Sequence, residues 1–223
     1  VNSHLIALAG AKIASPLHAY FSTVDEWAIG KSTLGLFSIE ESIDWTNQFL
    51  AFHPMVRHLQ GIILDDPGTS DHHASLCRDP FKGAVMYLAH DGESRIVFDG
   101  MDSFLKAARD AAERKEAVYE QHPKRSWIVN DQAALKDLIT SLQSGADGED
   151  IVPALVPSLD LSDTDFLATL VSGHDLYVPE AVGREIAARP TPPLMAIAKL
   201  CEEHRHPVVR NAGAIARERI ANL

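Results

Sequence analysis

The sequence has little cysteine, a shortage of basic charge and no long apolar run. Its two cysteines, Cys77 and Cys201, stand far apart, and no CxxC occurs. Two distant thiols make no disulfide framework, so a reducing, cytoplasmic setting is expected. No apolar stretch reaches the roughly 20 residues that a membrane span needs. Leu5–Ala14 is short, carries Lys12 and lacks the basic leader of a signal peptide. Lys and Arg total 20 against 31 Asp and Glu, a formal charge of −11. That balance repels nucleic acid and anionic membrane and attracts basic partners. GxSxG, P-loop, GxGxxG and HExxH motifs are all missing. No cofactor is therefore expected, and the chain reads as a binding module rather than an enzyme.

What is present is the composition of an ordinary globular protein. The chain has 223 residues, 46% hydrophobic and 23% charged, enough for one large domain or two small ones with a conventional core. Residues 4–29 have helical spacing, interrupted at Pro16 and ending at Gly30. Ser38-Ile39-Glu40-Glu41 is a capping box that opens a helix bearing Ile43, Trp45, Phe49 and Leu50. His53-Pro54 ends or kinks that helix.

From residue 60 the period changes. Gly61–Leu64 is β-like, Asp65–Asp71 is dense in turn residues, and His72–Arg78 is a weaker strand candidate. Two apolar runs, Val85–Ala89 and Arg95–Phe98, flank Asp91-Gly92. This predicts an antiparallel hairpin over residues 84–99 with a type I′ turn, whose central residues both need positive φ. Helix signals then return. Asp99 or Asp102 is placed to cap a helix carrying Phe104, Leu105, Ala108 and Ala112. Asn130 or Asp131 is placed to cap one carrying Leu135, Leu138, Ile139 and Leu142.

Residues 143–165 are rich in Gly, Pro and acid and carry no Lys or Arg, so 146–163 is expected to be a linker. The implied domains are 1–145 and a helical segment 164–223. In that segment Pro179 and Pro207 stand at first helical positions. PEAVGREIA (179–187) and PVVRNAGAIA (207–216) resemble one another, as in a HEAT-like helical pair.

The most chemical-looking cluster is Asp65, Asp66, Asp71, His72, His73, His90 and Asp91. If the strands pair as expected, several of these meet at one end of the sheet. Imidazoles and carboxylates suit zinc, so one alternative is a metal-dependent hydrolase using Asp65, Asp71, His72, His73 and His90. Two facts oppose it. His72 and His73 are adjacent, so in a strand they point to opposite faces. The aspartates are also ordinary turn residues. No metal site and no catalytic residue is assigned. Asp65, Asp66, Asp71, His72, His73, His90 and Glu93 are instead taken as a partner-binding patch. Cys201, His204 and His206 read as a buried cysteine and two exposed histidines at a helix end. Trp27 and Trp45 lie on apolar helical faces, and Trp127 sits among polar neighbours.

Leu36–Glu41, Trp45, Ile63–His73 (ILDDPGTSDHH), Gly83–Phe98 (GAVMYLAHDGESRIVF) and Met101–Leu105 (MDSFL) together resemble the SUKH superfamily, over Leu34 to Ala108. The resemblance implies an α+β fold: a central, mainly antiparallel sheet with flanking helices, here followed by a small all-helical C-terminal segment. It also implies a non-enzymatic role, since bacterial members are regarded as immunity proteins that bind toxin domains. The expected partner is then another protein, a basic toxin domain, rather than nucleic acid or membrane. A third reading makes the helical tail the interaction surface of a scaffold.

Overall fold

In α1 (Ser15–Glu26) the residues Tyr20, Phe21 and Val24 are buried on one face. The chain breaks at Trp27 and resumes as α2 (Ala28–Leu34). The expected stop at Gly30 is displaced. Gly30 lies buried inside α2 beneath the Trp27 ring, where a Cβ would come 2.6 Å from Trp27 Cε3. The left-handed cap is Gly35 instead, at φ 67°. The structure is a computed structural model that describes residues 15–173 and 175–223. The part of the first expected helix before residue 15 lies outside the described residues.

The expected capping box forms. Ser38 accepts from the Glu41 N–H, and the Glu41 carboxylate accepts from the Ser38 N–H, at the start of α3 (Ile39–Phe52). His53 ends that helix and Pro54 opens α4 (Pro54–Leu59) at its first turn. Four strands follow, β1 (Gly61–Ile63), β2 (His72–Leu76), β3 (Val85–Leu88) and β4 (Arg95–Phe98). They form one sheet in the order β1-β2-β3-β4, antiparallel throughout. Next come α5 (Met101–Arg114), capped at Gly100, and a 3-10 turn at Val118–Gln121. The hydroxyls of Ser42 and Thr46, one helical turn apart on α3, bond the carbonyl and the N–H of Ile63. These bonds satisfy the Ile63 polar groups on the outer edge of β1, which has no strand neighbour there among the described residues.

The hairpin between β3 and β4 is present, but its turn differs from the expected type. The last register pair is Tyr87 with Arg95, which leaves a loop over residues 89–94. Among the described residues positive φ occurs at Gln60, Lys115, Leu161, Gly35, Gly68 and Gly83, and not at Asp91 or Gly92. The loop is closed by a bond from Ala89 N–H to Ser94 Oγ at 3.0 Å. It is also held from outside by Asp71, which accepts from His90 N–H at 2.7 Å. A tertiary bond has overridden the local turn preference.

The described residues hold eleven α-helices and this one sheet, an α+β fold. They divide into two units, one ending at Trp127 and one beginning at Ile128. The second unit contains α6 (Gln132–Gln143), α7 (Gly148–Leu155), α8 (Thr164–Val171), α9 (Tyr177–Ala188), α10 (Met195–Glu202) and α11 (Pro207–Ala221). The segment expected as a linker, 146–163, is therefore folded. Its α7 buries Ile151, Val152, Ala154 and Leu155, and a 3-10 turn follows at Val156–Ser158. Its acidic residues Glu149 and Asp150 sit in the first turn of α7, where negative charge suits the helix dipole. The expected boundary near 145 moves to 127, and α6, capped by Asp131, belongs with the C-terminal helices.

Pro207 does open α11, whereas Pro179 is the third residue of α9, still in the turn that lacks intrahelical donors. The two similar segments lie against each other. A Cβ on Gly183 would meet the Ala212 Cβ at 2.9 Å, and one on Gly213 would meet Glu202 N at 2.2 Å. Small residues thus set the close approach of α9, α10 and α11. No helix among the described residues is long and apolar enough to cross a membrane.

Candidate functional site: a buried Asp–His–His network

Adjacent residues of β2 face opposite layers, as alternation requires. His72 points toward α3, its ring centroid 5.1 Å from Trp45 and 4.9 Å from Phe49. His73 points toward α5, with Phe104 at 5.1 Å and Tyr87 of β3 at 5.4 Å. Both histidines are buried, at 4% and 2% exposure, and Asp65 is fully buried.

Asp65 sits just after β1, where it bridges to Leu36. It serves both histidines. Its backbone carbonyl accepts from His72 Nδ1–H at 2.8 Å. Its carboxylate accepts from the His73 backbone N–H at 2.7 Å and from His73 Nδ1–H at 2.5 Å. The buried carboxylate thus has a partner on each oxygen, as burial demands. On the far side of the ring, His73 Nε2 lies 2.7 Å from His122 Nε2. One proton is shared between those two nitrogens, because a bond between them needs one donor and one acceptor. His122 also stands edge-on to Tyr87 at 4.7 Å and to Phe98 at 5.6 Å. Burial, then the nearby His73 and Arg95, pushes the His122 imidazole down to about 3.

A second group lies at the loop end of the sheet. Asp71 Oδ2 accepts from the Tyr87 hydroxyl at 2.7 Å while Oδ1 takes the His90 N–H. Burial raises the Asp71 carboxyl, but the bonds from His90 and Tyr87 outweigh it and hold the group below its ordinary value. Tyr87 is pushed well up by burial and by its bond to Asp71.

The residues singled out in the sequence therefore separate into three places. Asp65, His72 and His73 are interior. Asp71 joins two loops. Asp66 turns its carboxylate to the Gly68 N–H at 3.0 Å, while His90, Asp91 and Glu93 are exposed in the hairpin loop. Among the described residues no three His, Cys, Asp or Glu side chains converge as a metal-ligand group. His122 completes the network and was missed in the sequence, since it lies 49 residues from His73 with no pattern linking them.

Elsewhere, Cys77 and Cys201 are pushed up by burial to about 11 and about 12, so both are held as thiols. The buried Cys201 lies against the Pro179 carbonyl, while the His204 and His206 rings pair with each other. Trp45 packs on Phe37, Phe49 and His72. A groove of about 500 Å³, lined by residues such as Trp27, Ile29 and Arg109, contains none of the network's residues.

Comparison of the chain with protein-family models, with curated proteins and with solved structures gives no match.

Proposed function

We propose that the chain is a non-enzymatic, cytoplasmic protein-binding protein of the SUKH type that neutralises a basic toxin domain. In this reading the first unit is a SUKH-like α+β domain and the second carries HEAT-like helical pairs. The observation that carries it is the pinning of two acidic loops. Asp71 bonds the His90 N–H and the Tyr87 hydroxyl, so the loop 65–71 is tied to the hairpin loop 89–94. Those loops contain Asp66, Asp91 and Glu93 and no Lys or Arg. Carboxylates gathered on tied loops at one end of the sheet suit a cationic partner, because complementary charge speeds encounter and fixes register. The buried Asp65–His73–His122 network supports the same reading, since its polar atoms are spent on holding strands together.

Co-expression with a basic toxin candidate encoded beside this gene tests the proposal. Protection of the host and co-purification of the pair are expected. Loss of both would remove the immunity reading. The triple variant Asp66→Asn, Asp91→Asn, Glu93→Gln is expected to slow association by on the order of tenfold at low salt, with little effect at high salt.

A further inference from the structure

The last segment of the first unit crosses the sheet at His122. It starts after Lys115, in the left-handed conformation at φ 57°, and includes the 3-10 turn Val118–Gln121. Val118 is buried, and Arg95 donates to the Pro123 carbonyl at 2.7 Å. Within the segment, Gln121 is held by Arg114 and Glu116. Its polar anchor to β2 is the single shared proton between His122 and His73.

The charged and titratable groups around His122 all oppose a second proton there or are already engaged. From β2 comes His73, with Asp65 behind it and both Asp65 oxygens taken. From β3 comes Tyr87, whose hydroxyl donates to Asp71. From β4 comes Arg95, a fixed cation. Tyr119 lies on the same turn and is half exposed. With the His73 Nδ1–H on Asp65, its Nε2 accepts from His122 Nε2–H, so a second proton on His122 goes to Nδ1 and makes a largely buried cation against Tyr87 and Phe98 with Arg95 nearby.

We propose that residues 118–123 form an acid-released strap: the docked position beside His73 and Arg95 does not accommodate an imidazolium at His122, so proton uptake by the undocked His122 holds the segment off the sheet. Release uncovers the edge of His73 together with Tyr87 and Phe98, and leaves the Asp65–His73 pair intact. The driving force is linkage. A solvated imidazole takes a proton near pH 6.5, while the docked one resists it. Each pH unit below about 6.5 then favours the released form by about tenfold.

The test is hydrogen–deuterium exchange of the full chain at pH 7.0, 6.5, 6.0, 5.5 and 5.0, corrected for intrinsic exchange, which are settings taken around the ordinary imidazole value of about 6.5. The opening of residues 118–123 is expected to rise about tenfold per pH unit below 6.5 while α9–α11 hold constant. In His122→Gln, a non-titrating amide still donates to His73 Nε2, and the slope is expected to vanish. A flat wild-type profile overturns the proposal, as does an unchanged slope in the variant. Should the variant not fold, the wild-type profile decides alone.

Discussion

A methyl group on Gly35 would lie 1.9 Å from the backbone carbonyl oxygen of Asp66. Gly35 N–H to Gly30 carbonyl and Asp66 N–H to Gly35 carbonyl bonds tie the end of α2 to the chain just after Asp65. The contact is backbone on backbone, so neither side yields as a flexible side chain would. Gly35→Ala is expected to cost more than about 2 kcal/mol, combining a left-handed φ with a clash. Gly68→Ala, at φ 74° with nothing within 4 Å of the new methyl, is the control, expected near 1 kcal/mol. Urea unfolding of both variants measures the difference.

Tyr87→Phe removes the hydroxyl that Asp71 accepts from. The expected cost is about 1 to 2 kcal/mol, because a charge-assisted bond is lost and the loop tie weakens. Exchange of the 89–94 amides should rise in the same variant. Asp71 is held below its ordinary value, so its contribution is present above the unfolded carboxyl's range and is lost as pH falls through the folded one. Chemical denaturation of Tyr87→Phe and wild type at pH 7 and pH 3 should therefore show a smaller gap at the lower pH.

His122 gives global stability a pH dependence of definite sign. Its folded value is depressed to about 3, so between the unfolded value and that one the unfolded chain binds the extra proton. Stability from this group is complete above about pH 6.5 and falls by up to about 1.4 kcal/mol per pH unit below it. Thermal melts from pH 7 to pH 4.5 should fall less steeply in His122→Gln than in wild type.

The unit boundary makes a prediction about fragments. Residues 128–223 are expected to melt cooperatively as a helical fragment, followed by circular dichroism. A fragment beginning at residue 147 is not, because it loses α6 with its buried Leu135, Leu138, Ile139 and Leu142. Equal melting of the two would place α6 outside the fold of the second unit.

Local chemistry was legible where one element suffices. The Ser38–Glu41 capping box, the Asp131 cap, the His53-Pro54 break and the β3–β4 pairing all rest on neighbours close in sequence. Gly30 and Gly35 show the limit: either glycine can end a helix, and only the approach of the Asp66 backbone selects Gly35. The segment 146–163 shows another. Gly, Pro and acid mark linkers, yet the same residues start α7 and shape the turn after it.

By itself the sequence determined the acidic charge, the α+β order of elements, the helix caps and the opposite facing of His72 and His73, because charge, caps and alternation are properties of short stretches. Only the tertiary structure decided that Asp65 is the buried hub of both histidines, that His122 closes the network, and that the hairpin loop bends to Asp71 instead of forming its preferred turn. Those bonds join groups 7 to 49 residues apart. Their partners are chosen by where packed layers bring them, which no local pattern encodes.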